Sequence, residues 1–286
     1  MPEGDAVWRT ARRLHEALAG QVLVGSDLRV PALATSDLAR RHTLEVVPRG
    51  KHLLHRLEDG VTLHSHLRMD GSWHVLRRTT TAGDRPRSPR TERHTVRALV
   101  WTESVVAVGD SLGMLDLVET AHEARVVGHL GPDLLDRDFD RGLALANLMR
   151  DPIVEVGHAL LDQRNLAGIG TIYATEPLFE HRVSPWTPVG RLSQEALGAV
   201  VDTARLWMVR SCRLGPVPPA AGRGASLRSL PSDGWLPWAY RIFGREGRPC
   251  PRCGTTLRAD SIGQQPRARQ ITHCPRCQIR PSPAAP

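Results

Sequence analysis

Lysine is nearly absent from this chain. Of the 38 lysines and arginines among its 286 residues, only Lys51, in "PRGKHLL", is a lysine. A coding preference for arginine explains the other positions but not this one. Arginine is effectively never deprotonated, whereas lysine is a compact charge that can release a proton when its surroundings lower its pKa. A proton-exchanging site would need lysine; one unreplaced lysine on a solvated loop is the plain alternative. Long apolar runs are also missing. No stretch approaches the roughly 18 consecutive apolar residues of a membrane span, and "MPEGDAVWRT" lacks the basic-then-apolar order of a signal peptide. The expectation is a cytoplasmic protein with no membrane partner. Cysteine is scarce as well: five residues, four of them in two close pairs, which suits metal binding better than a secreted disulfide scaffold.

What is present points to a polyanion. The formal net charge is +8, and residues 241–286 hold nine arginines against Glu246 and Asp260, so nearly all the excess lies in the last stretch. Hydrophobic residues make up 41%, enough for a core, and the length suggests two domains. Val7, Ala11, Leu14 and Leu18 recur at helical spacing over 2–19, with Pro2 suited to a first turn and Gly20 to a stop. From Val22 to about Val118, short runs such as "HLLHRL", "VTLHSHL" and "TVRALVW" between turns predict a sheet sandwich or barrel. Residues 77–93, polar and arginine-rich, read as a mobile loop. The pattern changes near "HLGPDLLDRDFD" (129–140). Helical segments follow around 138–150, 152–165, 171–181 and 192–212, then a flexible loop over 214–234.

Three stretches carry chemistry. "CPRC" at 250–253 and again at 274–277 supplies two turns, each directing two thiolates at one ion. Cys250, Cys253, Cys274 and Cys277 thus predict one structural Zn2+ in a closed four-cysteine site, with a redox pair as the weaker alternative. Cys212 stands apart as a buried small apolar residue. "LLDQRNLAGIGTIYATEPLF" (160–179) joins two helical patterns through Gly168 and Gly170, which suits either a phosphate at a helix N-terminus or an ordinary helical hairpin. Finally, removal of Met1 would leave Pro2 with a terminal secondary amine. An α-amino group, which ordinarily titrates near pH 8, is far more neutral and nucleophilic at pH 7 than a lysine side chain. On residue physics alone, Pro2, Glu3 and Asp5 are better read as helix-start residues.

In combination, "MPEGD", the lone lysine in "RGKHLL", "HSHLRMDGSW", "LLDQRNLAGIGTIY" and "CPRC…RQITHCPRCQ" resemble, in order and over essentially the whole chain, the formamidopyrimidine-DNA glycosylase/endonuclease VIII family. The start "PEG" is similar to the endonuclease VIII side, in a bacterial subgroup. The resemblance implies an α+β multidomain fold: an N-terminal β-sandwich with a flanking helix at 1–128, a helix–two-turns–helix domain at 129–235 and a zinc finger at 236–286. It implies damaged DNA as partner, double-stranded or in single-stranded and bubble form, a monomer, and work at the bacterial nucleoid. Roles follow from it too. Pro2 matches the nucleophile that attacks C1′ and forms a Schiff base. Glu3 matches the acid that assists base release or ring opening. Lys51 matches the lysine that contacts the DNA backbone and takes part in β-elimination, and Arg269 the finger arginine that grips phosphate and supports δ-elimination. His66 falls where a histidine contacts phosphate, Met69 where an apolar side chain fills the void of a flipped base, and Gly170 with Thr171 on the hairpin that holds a phosphate.

Departures from the family pattern shape the expectation. Thr171 replaces the usual asparagine, so phosphate grip rests more on backbone N–H groups. Ala6 replaces a common glutamate. "GDSLG" (109–113) is too short for the insertion loop that the formamidopyrimidine branch places against the base opposite the lesion. The resulting expectation is base excision repair by a bifunctional glycosylase and abasic-site lyase acting on oxidised pyrimidines. The alternatives are a non-catalytic zinc-ribbon DNA-binding protein and the same chemistry on oxidised purines such as 8-oxoguanine.

Overall fold

The N-terminal helix, α1 (Gly4–Leu18), buries Val7, Ala11, Leu14 and Leu18 in one apolar stripe, each leucine contributing about 2 kcal/mol when withdrawn from water. Its solvent side carries the i,i+4 pair Arg12 and Glu16 at 2.7 Å, and Gly20, with φ 74°, takes the left-handed turn that ends it. Pro2 is not in the first turn as the sequence suggested. Glu3 occupies the N-cap in extended backbone (φ −109°, ψ 179°), so Pro2 stands half-buried ahead of the helix. This computed structural model describes residues 2–79, 85–214, 240–265 and 268–282, and the chain folds as two units, Met1–His129 and Leu130–Pro286.

In the first unit, eight antiparallel strands form two four-stranded sheets. One has the order β1 (Gly25–Leu28), β6 (Val96–Trp101), β7 (Val105–Asp110), β5 (Ser72–Arg77). The other has the order β2 (Thr43–Arg49), β3 (His52–Leu57), β4 (Val61–His66), β8 (Met114–Glu119). Leu28, Ala98, Val100 and Ala107 of the first meet Val46, Leu53, Leu57, Leu63 and Leu115 of the second, with α1 closing the core. Trp73 of β5 donates its indole N–H to Ser65 of β4 at 3.1 Å, tying the sheets together with a satisfied buried polar pair. A short helix α2 (Ala124–Val127) ends the unit.

The loop expected to be mobile at 77–93 is anchored where it is described. Arg85 pairs with Asp27 of β1 and with Glu92, each at 2.8 Å, and Thr91 is buried and accepts from the Ser88 amide. Acidic side chains both within a polar loop and on a neighbouring strand can engage its arginines, which composition alone does not reveal. Residues 80–84 of that loop lie outside the described residues, as does the loop expected at 214–234 beyond Leu214.

The second unit is helical: α3 (Arg141–Met149), α4 (Val156–Leu161), α5 (Thr171–Glu180) and α6 (Gln194–Leu214), followed by the hairpin β9 (Arg258–Ile262) and β10 (Arg269–His273). Asp140 caps α3 by accepting from the Leu143 amide at 2.8 Å. The second predicted helical segment, 152–165, is shorter in fact, because Asp162 and the residues after it are drawn into a turn. Ile262 and Ile271 of the hairpin pack into the same core as Leu145, Leu160, Leu178 and Trp186. Glu176 of α5 is buried, and its carboxylate accepts from three successive amides, Arg241, Ile242 and Phe243, at 3.1, 2.9 and 2.8 Å. Arg252, inside the first "CPRC", donates to the carbonyl of Glu180 at 3.0 Å at the C-terminal end of α5, where a cation is favoured.

Candidate active site and nucleic-acid interface

Strand register decides which face each residue of the second sheet occupies. His52 pairs with His66, Leu54 with His64, and His64 with Asp116, so these residues share one face, while Leu53, Leu57, Leu63 and Leu115 turn to the core on the other. The face away from the core is polar yet covered. Glu123 accepts from Arg56 at 2.9 and 2.7 Å and from Thr62 at 2.7 Å, and Arg56 also reaches Glu45 at 2.6 Å. His129 sets its ring edge-on to His52 at 6.1 Å. The segment after β8 therefore roofs a layer of paired charges and imidazoles.

Lys51 lies at the tip of the β2–β3 hairpin. Arg49 pairs with His52, leaving a two-residue loop in which Gly50 supplies the positive φ (57°) such a tight reversal requires. The His66 ring stands 4.8 Å from that of His52, and its Nδ1 accepts from the Arg68 amide at 2.9 Å. Burial holds His66 down to about 4, helped by the charges of Arg68 and Lys51. His52 is held to about 3 by burial and then by His66 and His64. His64 is lowered by burial despite its bond to Asp116. The imidazoles beside Lys51 are thus neutral at pH 7. Met69 follows in the 67–71 turn, 61% exposed, which is unusual for so apolar a side chain.

Pro2 and Glu3 lie in the same unit, at the start of a helix that packs on β2, β3, β5 and β7. Glu3 is almost fully buried, and its carbonyl accepts from Ala6 and Val7 to begin the helix. β7 and β8 are joined by only Ser111, Leu112 and Gly113, with Leu112 turned into the core, so no long loop arises there.

In the second unit the glycine turn is braced by a side chain. Gln163 donates to the carbonyls of Leu161 and Ile169 at 3.1 and 2.8 Å and accepts from the Gly168 amide at 3.0 Å. Gly168 takes φ 97°, and Gly170 is the N-cap of α5, which starts at Thr171. The four paired cysteines converge: their sulfurs all lie within 4.8 Å of one another, with Cys250 and Cys277 4.0 Å apart and Cys253 and Cys274 3.5 Å apart. Amides of Arg252 and Cys277 donate to Cys250 and Cys274 at 3.4 Å. This is a donor set able to hold one metal ion. Arg269 is exposed at the first residue of β10.

Sequence reasoning did not find His52, His64, Asp116 or Gln163 as participants. "HLL" and "HSHL" show only that histidines fall two residues apart, and their joining across strands is a matter of register. Gln163 was visible in the quoted hairpin, but nothing in the sequence shows its amide reaching around the turn.

Comparison with known proteins agrees with this architecture. Residues 1–111 match the formamidopyrimidine-DNA glycosylase N-terminal domain and residues 130–216 the formamidopyrimidine-DNA glycosylase H2TH domain. The chain belongs to the formamidopyrimidine-DNA glycosylase/endonuclease VIII family. Within it the chain stands on the endonuclease VIII-like branch. It is 47% identical, over 99% of its length and 96% of the relative's, to the "Probable endonuclease 8 2" of Streptomyces coelicolor. It is 37% identical to the "DNA-(apurinic or apyrimidinic site) lyase Nei2" of Mycolicibacterium smegmatis, over 97% and 99% of the two chains. The structure of Lactococcus lactis Fpg (MutM) in complex with N7-benzyl-Fapy-dG DNA shares the fold, with a TM-score of 0.75 at 23% identity, covering 97% of this chain and all of that one.

Proposed function

We propose that this chain is a bifunctional DNA glycosylase and abasic-site lyase of base excision repair. The observation that carries the reading is its near-full-length likeness to endonuclease 8 proteins and to an abasic-site lyase; Pro2, Glu3 and the lone Lys51 are the residues to which the motif resemblance assigns the chemistry. The Pro2 amine, once terminal, attacks C1′ of the damaged nucleotide; the base leaves and an iminium joins Pro2 to the opened sugar. Glu3, buried at the N-cap and next in sequence to Pro2, moves the proton that base release or ring opening requires. The iminium then acts as electron sink while the C2′ proton is removed and the 3′ phosphate departs, with Lys51 at the backbone. Loss of the 5′ phosphate follows in the δ step, assisted by Arg269. His66 donates from Nε2 to a phosphate, and Met69 is an exposed apolar side chain suited to the gap left by a flipped base. Gly170 and the first turn of α5, from Thr171 on, hold a further phosphate through backbone N–H groups.

The four cysteines fit zinc. A tetrahedral ion with Zn–S bonds of about 2.3 Å sets sulfurs ~3.8 Å apart, a spacing that the 3.5 and 4.0 Å pairs bracket. With four thiolates the coordination is closed, so the ion holds the arginine-bearing hairpin in shape. Oxidised pyrimidines are the favoured lesions, because the three-residue β7–β8 connection leaves no loop to read the base opposite the lesion.

The test is to incubate the purified protein with an abasic-site duplex and sodium borohydride and to map any adduct by peptide mass spectrometry. A Pro2 adduct is expected. An adduct on Lys51 would reverse the two roles, and tight binding with no adduct and no strand scission would mean a non-catalytic DNA-binding protein. Comparing release of 5-hydroxyuracil, thymine glycol and 8-oxoguanine then tests the lesion preference.

A further inference from the structure

Arg269 begins β10, at the opposite end of the finger hairpin from the cysteines. Cys274 follows the strand, about 16 Å further on at the roughly 3.3 Å per residue of extended chain. The cysteine cluster therefore fixes the hairpin at one end only. The other end is seated on the helical part of the same unit through three successive residues. The carbonyl of Ser261 accepts from the indole N–H of Trp186 at 3.4 Å. Ile262, the one buried residue of β9, turns its Cδ1 to Gly157 of α4. Gly263, with φ 78°, passes so close to the His158 ring that a methyl there would come within 3.2 Å of its Cδ2.

Gly157 has a packing reason to be glycine. Propensity argues against it, since only proline favours a helix less. Its amide donates to the carbonyl of Pro185 at 2.9 Å, which holds the start of α4 close to that segment. A methyl at Gly157 would lie 2.5 Å from Cδ1 of Ile262 and 3.1 Å from Cβ of Pro185, so the missing side chain is the space that Ile262 fills. Ile262 is in turn the cross-strand partner of Arg269, as Ser261 is of Gln270. Paired strands move together, so the depth at which Ile262 sits sets the backbone from which the Arg269 side chain projects.

We propose that the notch at Gly157 and the Ile262 side chain form a fitted seat that places Arg269 for the δ step. The proposal rests on the lyase reading and adds to it a division of labour: the cysteine cluster fixes one end of the hairpin, and α4 fixes the end that carries the arginine. Further ties to the helical part lie beside the cysteines. Gln278, next to Cys277, donates to the carbonyl of Val183 at 2.9 Å, and the ring of His273, next to Cys274, packs edge-on to Trp186 at 4.6 Å. A change at Gly157 therefore acts on the arginine end. Gly157 and Ile262 work through Arg269 and are positioning residues.

The experiment uses the zinc-loaded full chain with 13C in its isoleucine δ1 methyls, as wild type, Gly157→Ala, Ile262→Val and the double variant. In the wild type a nuclear Overhauser effect should join the Ile262 methyl to the Gly157 α-protons. On an abasic duplex, Gly157→Ala should slow the δ step about tenfold, well within what ~1 Å of misplacement can cost, so that product stopped after β-elimination accumulates. Borohydride trapping on Pro2, the β step and zinc content should be unchanged. Ile262→Val alone should slow the δ step more mildly, because it loosens the fit without a clash. Valine is isoleucine without Cδ1, the atom that the new methyl meets, and Pro185 need then yield by only a few tenths of an ångström. The double variant should therefore recover most of the δ rate lost in Gly157→Ala, a non-additive result. No Overhauser effect in the wild type, an unchanged ratio of β to δ product in Gly157→Ala, an equal loss of both steps, or a double variant no faster than Gly157→Ala overturns the seat. A wild type that traps no adduct overturns the lyase reading and with it the seat's purpose, an outcome separable from the spectra.

Discussion

Lys51 and the residues around it show how much one side chain can decide. At the hairpin tip, Lys51→Arg keeps the positive charge but removes the exchangeable proton. Binding to abasic duplex should stay within about threefold of wild type and the Pro2 adduct should still form. Strand scission should fall by about 100-fold, the lower part of the range for a lost proton-transfer group. Wild-type scission by this variant, measured under single-turnover conditions, would show that the lone lysine acts only as a charge. At this scale the sequence is legible where a residue type is rare: one lysine, four paired cysteines and a proline at position 2 draw notice by themselves. Histidine is common here, and the partnership of His52, His64 and Asp116 cannot be read without strand pairing.

At the scale of elements, short polar anchors hold the segments that matter. Glu176 offers its two carboxylate oxygens to three successive amides, two on Oε1 and one on Oε2. In Glu176→Gln one oxygen becomes an NH2 group facing an N–H donor, which leaves a buried donor unsatisfied at a cost of about 2 kcal/mol. Thermal unfolding of the zinc-loaded protein should show that loss as a lower midpoint, and an unchanged midpoint would mean that the 241–243 segment is held by other contacts. Gln163 braces the glycine turn in the same manner. The four helices of the second unit and the sandwich were legible from periodicity and turn residues, and the finger from its paired cysteines. The start of α1, the shortened α4 and the anchoring of residues 85–93 were not, because the extended backbone of Glu3, a local turn at Asp162 and ion pairs such as Arg85 with Asp27 set them, and periodicity reports none of these.

For the whole molecule, buried neutral histidines predict a pH dependence of stability. His52 is lowered to about 3 and His55 and His66 to about 4, in each case chiefly by burial. Unfolded, these rings titrate near 6.5, so below that pH the unfolded chain takes up protons that the folded chain does not. Their stabilisation is complete above about pH 6.5 and is lost as pH falls toward 4, each ring contributing a slope of up to about 1.4 kcal/mol per pH unit. Urea unfolding between pH 4.5 and 8 should show stability rising with pH and levelling near neutrality. His55→Gln, which removes a ring bonded to Thr43 at 2.9 Å, should flatten that rise by about one proton, and an unaltered slope would exclude His55 as a contributor.

The sequence by itself determined the family and the two-sheet and helical architecture and singled out candidate residues, because motif spacing, hydrophobic period and residue rarity are properties of the linear chain. Tertiary structure decided which of those residues meet and in what protonation state. Register put His52, His64 and Asp116 on one face, the roofing segment 120–129 withdrew that face from water, and burial then held the imidazoles neutral beside the one lysine. Folding likewise brought cysteine pairs 20 residues apart to within 4.8 Å. Proximity and desolvation arise only when strands pair and layers close, which is why these features could not be read from the chain.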